Sequence, residues 1–404
     1  MKKYILIITT FTLAIIVFIS CNKKTDATST TTPIPAQTFD AVRAAFGTNI
    51  NPTSLANYAN QPRPNYLAPQ KDNTAGNTIT DAKATLGRVL FYDKNLSIDN
   101  TVSCGSCHKQ TFAFGDTAVQ SSGVAGGITG RHSMRLINAR FGVENKFFWN
   151  ERAATLEAQT TQPIQDHAEM GFSGTAGRPN FAALTAKLQG IGYYKELFQF
   201  VYNDVNITEA RMQECMAQFI RSIQSFDAKY DAGRAQVPND NAPFPNFTAA
   251  ENAGKNLFNT PPTFDATGNR INGGFGCNGC HNAPEFDIDP NTRNNGIIGT
   301  IGSNVIDILN TRSPSLRDLI NANGNPNTPM MHTGVFTTIQ QVIGHYGNIN
   351  VAPGNTNLDP RLRPGGNPQK LNVTAAEVQN IVAFMKTLTG TNVYTDAKWK
   401  SPFL

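Results

Sequence analysis

Cys104-Gly105-Ser106-Cys107-His108 constrains this chain more than any other stretch, and the pattern returns as Cys277-Asn278-Gly279-Cys280-His281. Cys-x-x-Cys-His is the pattern of covalent c-type haem attachment. Two thiols add to the vinyl groups of the porphyrin, and the adjacent His brings its imidazole under the ring as an iron ligand. The competing use is one zinc ion held by Cys104, Cys107, Cys277 and Cys280. That reading ignores a His placed identically after both pairs, so two covalent haems are the expectation. A chain that wraps haem tolerates long loops, because the ring supplies much of the apolar surface of each core.

The chain has 404 residues, enough for about two domains with cores of their own. Residues 1–20 read as a signal segment: Lys2 and Lys3, then an apolar run from Ile5 to Ile19. The run ends at Ser20-Cys21, which looks like a bacterial lipobox with Phe18 where Leu is usual. Cleavage there makes Cys21 a lipidated first residue, and the protein an exported, periplasmic one anchored to a membrane. A simple signal peptide or an uncleaved anchor is the alternative. No other stretch is apolar enough to span a bilayer. Without Lys2 and Lys3 the formal charge of +5 becomes +3, and haem propionates bring the holoprotein near neutrality. Nothing in this balance suggests nucleic acid. Of six cysteines, Cys21 goes to the lipobox and four to the haems, leaving Cys215 without a disulfide partner in the chain.

Residues 22–37 are Lys, Asp, Ser, Thr and Pro with few apolar side chains, the composition of a tether. Residues 39–46 suit a short helix. Near Thr80 a helix begins, with Leu86, Val89 and Leu90 at helical spacing. After the first motif, residues 123–130 contain four glycines and read as a mobile loop. Residues 206–230 predict a long helix with Met212, Cys215, Met216, Phe219, Ile223 and Phe226 on one stripe, where Cys215 is a core thiol. Pro238, Pro243 and Pro245 mark a linker. Beyond it, Gly254-Lys255-Asn256-Leu257-Phe258 echoes Gly87-Arg88-Val89-Leu90-Phe91, and each precedes a haem motif. Thr248 with Glu251, and Thr374 with Glu377, are capping boxes. The second opens a helix with Val378, Ile381, Val382, Met385 and Leu388 on one face. The expected fold is mostly α: two tandem cytochrome c-like domains with long loops. Its divisions are the signal 1–20, a tether and N-terminal segment 21–60, a first haem domain 61–245 and a second 246–404.

Between the motifs comes Phe147-Phe148-Trp149-Asn150-Glu151-Arg152-Ala153, followed by Leu156, Gln159, Pro163 and Glu169-Met170-Gly171. With both haem motifs, the Gln and Glu ten residues apart and a later Met331-His332-Thr333-Gly334, the chain resembles the bacterial dihaem cytochrome c peroxidase family, which includes MauG-type enzymes. The resemblance runs from about Leu86 to Leu388. It implies that His108 is the proximal ligand of the peroxidatic haem, with Gln159 and Glu169 over its open face. It implies Trp149 between the haems and His281 on the electron-transfer haem. Peroxide chemistry suits these roles. Breaking O–O needs a group that moves a proton from one oxygen to the other, which a partly buried carboxylate can do.

Two departures from the family matter. Activation-requiring members carry a distal His where this chain has Val124, and the nearby His132 stands where the family commonly has Asn as a calcium ligand. His132 is a calcium-loop substitute, a loop residue or a displaced haem ligand, and the loop reading is favoured. Asn327 and Pro329 approximate the other calcium positions, so calcium stays open. The second departure is the sixth ligand of the second haem. Ordinary members have Met there; this chain has Tyr346, as MauG-type proteins do, with His345 beside it. Ile339, Val342, Ile343 and Tyr346 share one helical face, and at roughly 100° per residue His345 points about 120° away. Tyr346 is favoured, with His345 and then Met385 as alternatives.

The leading expectation is a peroxidase that reduces hydrogen peroxide to water with electrons from a small cytochrome c or copper protein. A MauG-like enzyme that oxidises a partner protein, and a non-catalytic dihaem electron carrier, are the alternatives. Whether the chain forms a homodimer is open.

Overall fold

Two helix pairs, alike in construction, carry the architecture. In the first, the helix Asp81–Tyr92 crosses the helix Glu209–Ser222; in the second, Ala249–Asn259 crosses Ala375–Lys386. A Cβ on Gly87 would overlap the Cys215 carbonyl oxygen, and one on Gly254 would overlap that of Asn380, so glycine lets each backbone pair meet. Four residues on, Phe91 meets Phe219 at 5.2 Å between ring centroids, and Phe258 meets Phe384 at 5.4 Å. The echoed sequence is thus an echoed crossing. The residue after each glycine is a buried cation that donates to backbone carbonyls. Arg88 reaches Lys400 at 2.7 Å and Ala397 at 3.0 Å, and Lys255 reaches Ala242 at 2.8 Å. Carbonyl partners offset the cost of burying these charges.

The computed structural model describes residues 38–404. The signal segment, Cys21 and the tether to residue 37 lie outside the described residues. Asp40–Phe46 is helical, as the sequence predicts, and both capping boxes form, at Thr248 with Glu251 and at Thr374 with Glu377. The described residues are mostly helix and loop, with two short antiparallel strand pairs. One of these, Pro262–Phe264 with Arg270–Gly273, precedes the second haem motif. No described helix is long and apolar enough to cross a membrane.

The long helix expected over 206–230 is shorter. It spans Glu209–Ser222, after which the chain extends from Ile223 and resumes as Lys229–Arg234. The cause is tertiary. Asn138 takes over the backbone of the extended segment: its N–H donates to the Ile223 carbonyl at 3.0 Å, and its Oδ1 accepts from Ser225 N at 2.9 Å. The hydrophobic stripe continues through Ile223 because the segment stays buried, not because it stays helical.

Residues 38–404 cluster as one unit. The end of the chain leaves the second helix pair for the first. Val393, Tyr394 and Trp399 pack around Phe91 and Phe219, and Phe403 packs on Phe46 at 5.0 Å. Tyr92 and Tyr58 donate to the carbonyls of Trp399 and Lys398 at 2.6 and 2.7 Å. A second tie is the fully buried Arg317, which pairs with Asp231 at 2.8 and 3.0 Å.

Candidate haem sites

Each Cys-x-x-Cys-His forms one tight turn. Cys104–Cys107 is a single helical turn capped by Ser103 and Ser106, and Cys277–Gly279 is a 3-10 turn. Gly105 lies against the Tyr92 ring, where a Cβ would not fit. The two histidines are held alike. His108 Nδ1 lies 3.0 Å from the Phe114 carbonyl, and His281 Nδ1 lies 3.3 Å from that of Phe286. Both phenylalanines are fully buried and left-handed, at φ 59° and 57°. A carbonyl at Nδ1 requires the proton there and leaves the Nε2 lone pair free for a metal. Burial lowers the pKa of both imidazoles, that of His281 to about 4, so both stay neutral as ligation requires.

Burial keeps all four motif thiols protonated at neutral pH. Burial pushes Cys104 and Cys277 up to about 12, and Cys107 and Cys280 up to about 11. Among the described residues no three His, Cys, Asp or Glu side chains converge as a metal-binding group, so the four cysteines do not meet on one ion. Cys215 is a buried core thiol, as the stripe predicts.

A cavity of about 560 Å³ adjoins the second motif. Cys277, Cys280 and His281 line it, with apolar surface from residues such as Phe258, Leu371 and Met385. The size and lining fit a macrocycle. Tyr346 and Met331 also line this space, while His345 does not. His345 Nε2 is instead 2.8 Å from the Asn295 carbonyl, and the Asn295 amide donates to Tyr346 Oη at 3.0 Å. Burial raises the Tyr346 phenol well above its ordinary pKa.

Trp149 forms part of the wall of the same cavity. Its indole N–H donates to the His132 carbonyl at 2.8 Å, its own carbonyl accepts from Thr311 at 2.9 Å and Arg312 at 3.0 Å, and its ring meets His332 at 6.2 Å. His132 also lines this cavity; its Nδ1 is 3.0 Å from the Ala118 carbonyl, and its Nε2 is buried without a hydrogen-bond partner. Pro329 reaches the cavity wall. Asn327, the other residue considered for calcium, gives its amide to the Asp318 carbonyl and to Tyr394 Oη, both at 2.7 Å.

Beside the first motif, Glu169 raises the pKa of both Cys104 and Cys107 through its charge. Its own carboxyl is pushed up to about 7, first by burial and then by Asp166, against the pull of Arg152. Arg152 sits 3.4 Å over the Phe148 ring, next in sequence to Trp149. Gln159 is half-buried on the helix Leu156–Thr160. Two of the four glycines of 123–130 serve close packing. A Cβ on Gly123 or Gly127 would overlap the Ala168 carbonyl, and Val124, fully buried, donates its N–H to the Glu169 carbonyl at 3.1 Å. The loop expected to move is therefore docked on the segment that carries Glu169.

Sequence reasoning missed Asn295, which lies in an Asn-rich stretch with no periodicity. It also missed Arg135, a cavity-lining residue that donates to the Ser315 carbonyl at 2.7 Å.

The chain is similar to known proteins. Residues 81–237 match the family model described as di-haem cytochrome c peroxidase. The chain is 28% identical to the methylamine utilization protein MauG of Methylophilus methylotrophus, over 78% of this chain and 84% of that protein. It is 26% identical to the cytochrome-c peroxidase IdrP1 of Denitromonas iodatirespirans, over 80% and 86%. Among solved structures, a MauG-like protein associated with microbial copper homeostasis superposes with a TM-score of 0.65 at 25% identity, covering 85% of this chain and 99% of that one. The match to the di-haem cytochrome c peroxidase model takes in the first motif, Trp149 and Glu169, and the chain is similar to the MauG and cytochrome-c peroxidase relatives across both motifs.

Proposed function

We propose that this oxidoreductase carries two covalent haems, on Cys104/Cys107 with His108 and on Cys277/Cys280 with His281, and reduces hydrogen peroxide to water. The observation that carries this reading is the contrast between the two surroundings. Near the first motif a carboxyl is tuned to about 7, while the second motif faces an apolar cavity with Tyr346 on its wall. One peroxide, two electrons and two protons give two waters. Haem, when bound, supplies the iron at which O–O is broken and a store for electrons. Glu169 takes the proton from one peroxide oxygen and returns it to the other, and a pKa near neutrality suits both transfers. Gln159 is the neutral hydrogen-bond partner in that space. Electrons from a small exported redox protein enter at the second site and pass by way of Trp149. Export and lipid attachment at Cys21 keep the enzyme where such donors are found.

A MauG-like role, in which a partner protein is oxidised, is the second reading. It is favoured by Tyr346 and by Trp149, an oxidisable indole held at both its N–H and its carbonyl. A steady-state assay with peroxide and a reduced small cytochrome c, on wild type and Glu169→Gln, tests the first reading. Absence of peroxide turnover in wild type, with oxidation of a partner retained, would favour the second.

A further inference from the structure

Among the side chains able to bind iron at or beside the second cavity are Tyr346, Met331 and His345. All three are held by one residue. Asn295 Nδ2 lies 3.0 Å from Tyr346 Oη and 3.2 Å from Met331 Sδ, while the Asn295 backbone carbonyl lies 2.8 Å from His345 Nε2. We propose that Asn295 selects the axial ligand of the second haem, holding Tyr346 ready while keeping Met331 and His345 away. This rests on the proposal above that His281 holds that haem and on the sequence expectation that Tyr346 is its sixth ligand.

The carboxamide orientation is determined by its neighbours. Asn295 Oδ1 accepts from Ile297 N at 3.1 Å, so the NH2 end must face Tyr346 and Met331. Its two hydrogens then have one acceptor each. The residue is held firmly in place by its predecessor. Asn294 is fully buried, exchanges side-chain hydrogen bonds with Asn355 at 2.9 Å in both directions, and donates to the Ile308 carbonyl at 3.1 Å. A group pinned this way keeps its geometry when the cofactor is seated.

Each contact has a distinct effect. His345 donates Nε2–H to a backbone carbonyl, which commits that nitrogen and turns the ring out of the cavity. Tyr346 receives a hydrogen bond on its oxygen, which orients the phenol and leaves that oxygen a second lone pair. Met331 is a weak acceptor kept from competing by the second amide hydrogen. It is also held at φ 69°, a conformation rare for a residue with a side chain. Loss of the amide frees the sulfur and loosens the phenol together, whereas His345, tied to the main chain, stays where it is.

The test uses the ferric, haem-loaded protein. Wild type is expected to show a phenolate-to-iron charge-transfer band, which Tyr346→Phe abolishes. In Asn295→Leu that band should fall to less than half, a sulfur-to-iron band should appear, and the potential of the second haem should rise, since methionine ligation raises it. Asn295→Asp keeps the shape but cannot donate when ionised, and should move the same way. Adding Met331→Leu to either variant should remove the sulfur band. The unchanged spectrum of the first haem serves as the control for folding. If wild type and Tyr346→Phe behave as stated but both Asn295 variants keep the wild-type band and potential, the selector role is overturned. If Tyr346→Phe itself changes nothing, the assignment of Tyr346 as ligand fails instead.

Discussion

The two halves of this molecule use the same device to hold a histidine and differ in what surrounds it. In both, a glycine lets two helices cross, a buried cation follows, and a left-handed phenylalanine carbonyl fixes the imidazole. Around the first motif stand Glu169 and a docked loop whose buried Val124 offers no ligand atom. Around the second stand Tyr346 and Met331, both held by Asn295. On the function proposed above, the shared parts attach a cofactor and the parts that differ decide what it does. In our reading the first site is left open for peroxide and the second is closed for electron transfer.

The comparison breaks most visibly at the attachment sites. Cys277→Ala with Cys280→Ala should remove one of two haems, halving haem content, while the first haem keeps its spectrum. Denatured wild type should still stain for haem on a gel, and loss of that stain would remove the covalent reading.

The next largest effect separates the two sites in catalysis. Glu169→Gln should lower peroxide turnover by about 10²-fold or more, the usual scale for a lost acid–base group, with both haem spectra unchanged. Burial holds the Glu169 proton to about pH 7, above the ordinary carboxyl range near ~4.3. Turnover that depends on the carboxylate should therefore rise as pH passes through 7, and this limb should vanish in the variant. The same shift means that this group costs the fold stability as pH rises from the ordinary range through 7, because the folded state favours the protonated form.

The open-versus-closed distinction is sharpened by the resting state. With Val124 buried and His132 on the wall of the second cavity, no His in 123–130 can block the first iron. Ferric protein should show a high-spin signal from the first haem and capture cyanide without prior reduction. Two low-spin haems that refuse cyanide until one electron is added would reveal a hidden ligand, and His132→Ala would show whether it is His132.

The smallest effect tests the shared part. Gly87→Ala and Gly254→Ala each force a Cβ into a backbone carbonyl, an overpacking that costs about 1–3 kcal/mol. Gly130→Ala, whose Cβ would meet nothing, should shift the thermal midpoint far less. Equal shifts in all three would mean that the crossings are not tight.

The local features were legible in the residues. Both attachment motifs, the Gly87 and Gly254 echo, the two capping boxes and the helix start at Thr80 depend on neighbours within a few positions, and such chemistry is written in the order of the chain. The preference for Tyr346 over His345 on the cavity face follows from helical periodicity in the same way. What the sequence could not settle depended on partners far away in the chain. Ile223 leaves its helix because Asn138, 85 residues earlier, satisfies its carbonyl. Residues after Val393 return to the first helix pair because Arg88, Tyr58 and Tyr92 need their carbonyls. Two of the four glycines of 123–130, Gly123 and Gly127, looked like freedom and proved to be room for the Ala168 carbonyl. Asn295 has no period, motif or charge to mark it. Its role arises because folding brings one amide and one carbonyl within hydrogen-bond reach of three ligand-bearing side chains, and only tertiary structure decides such a convergence.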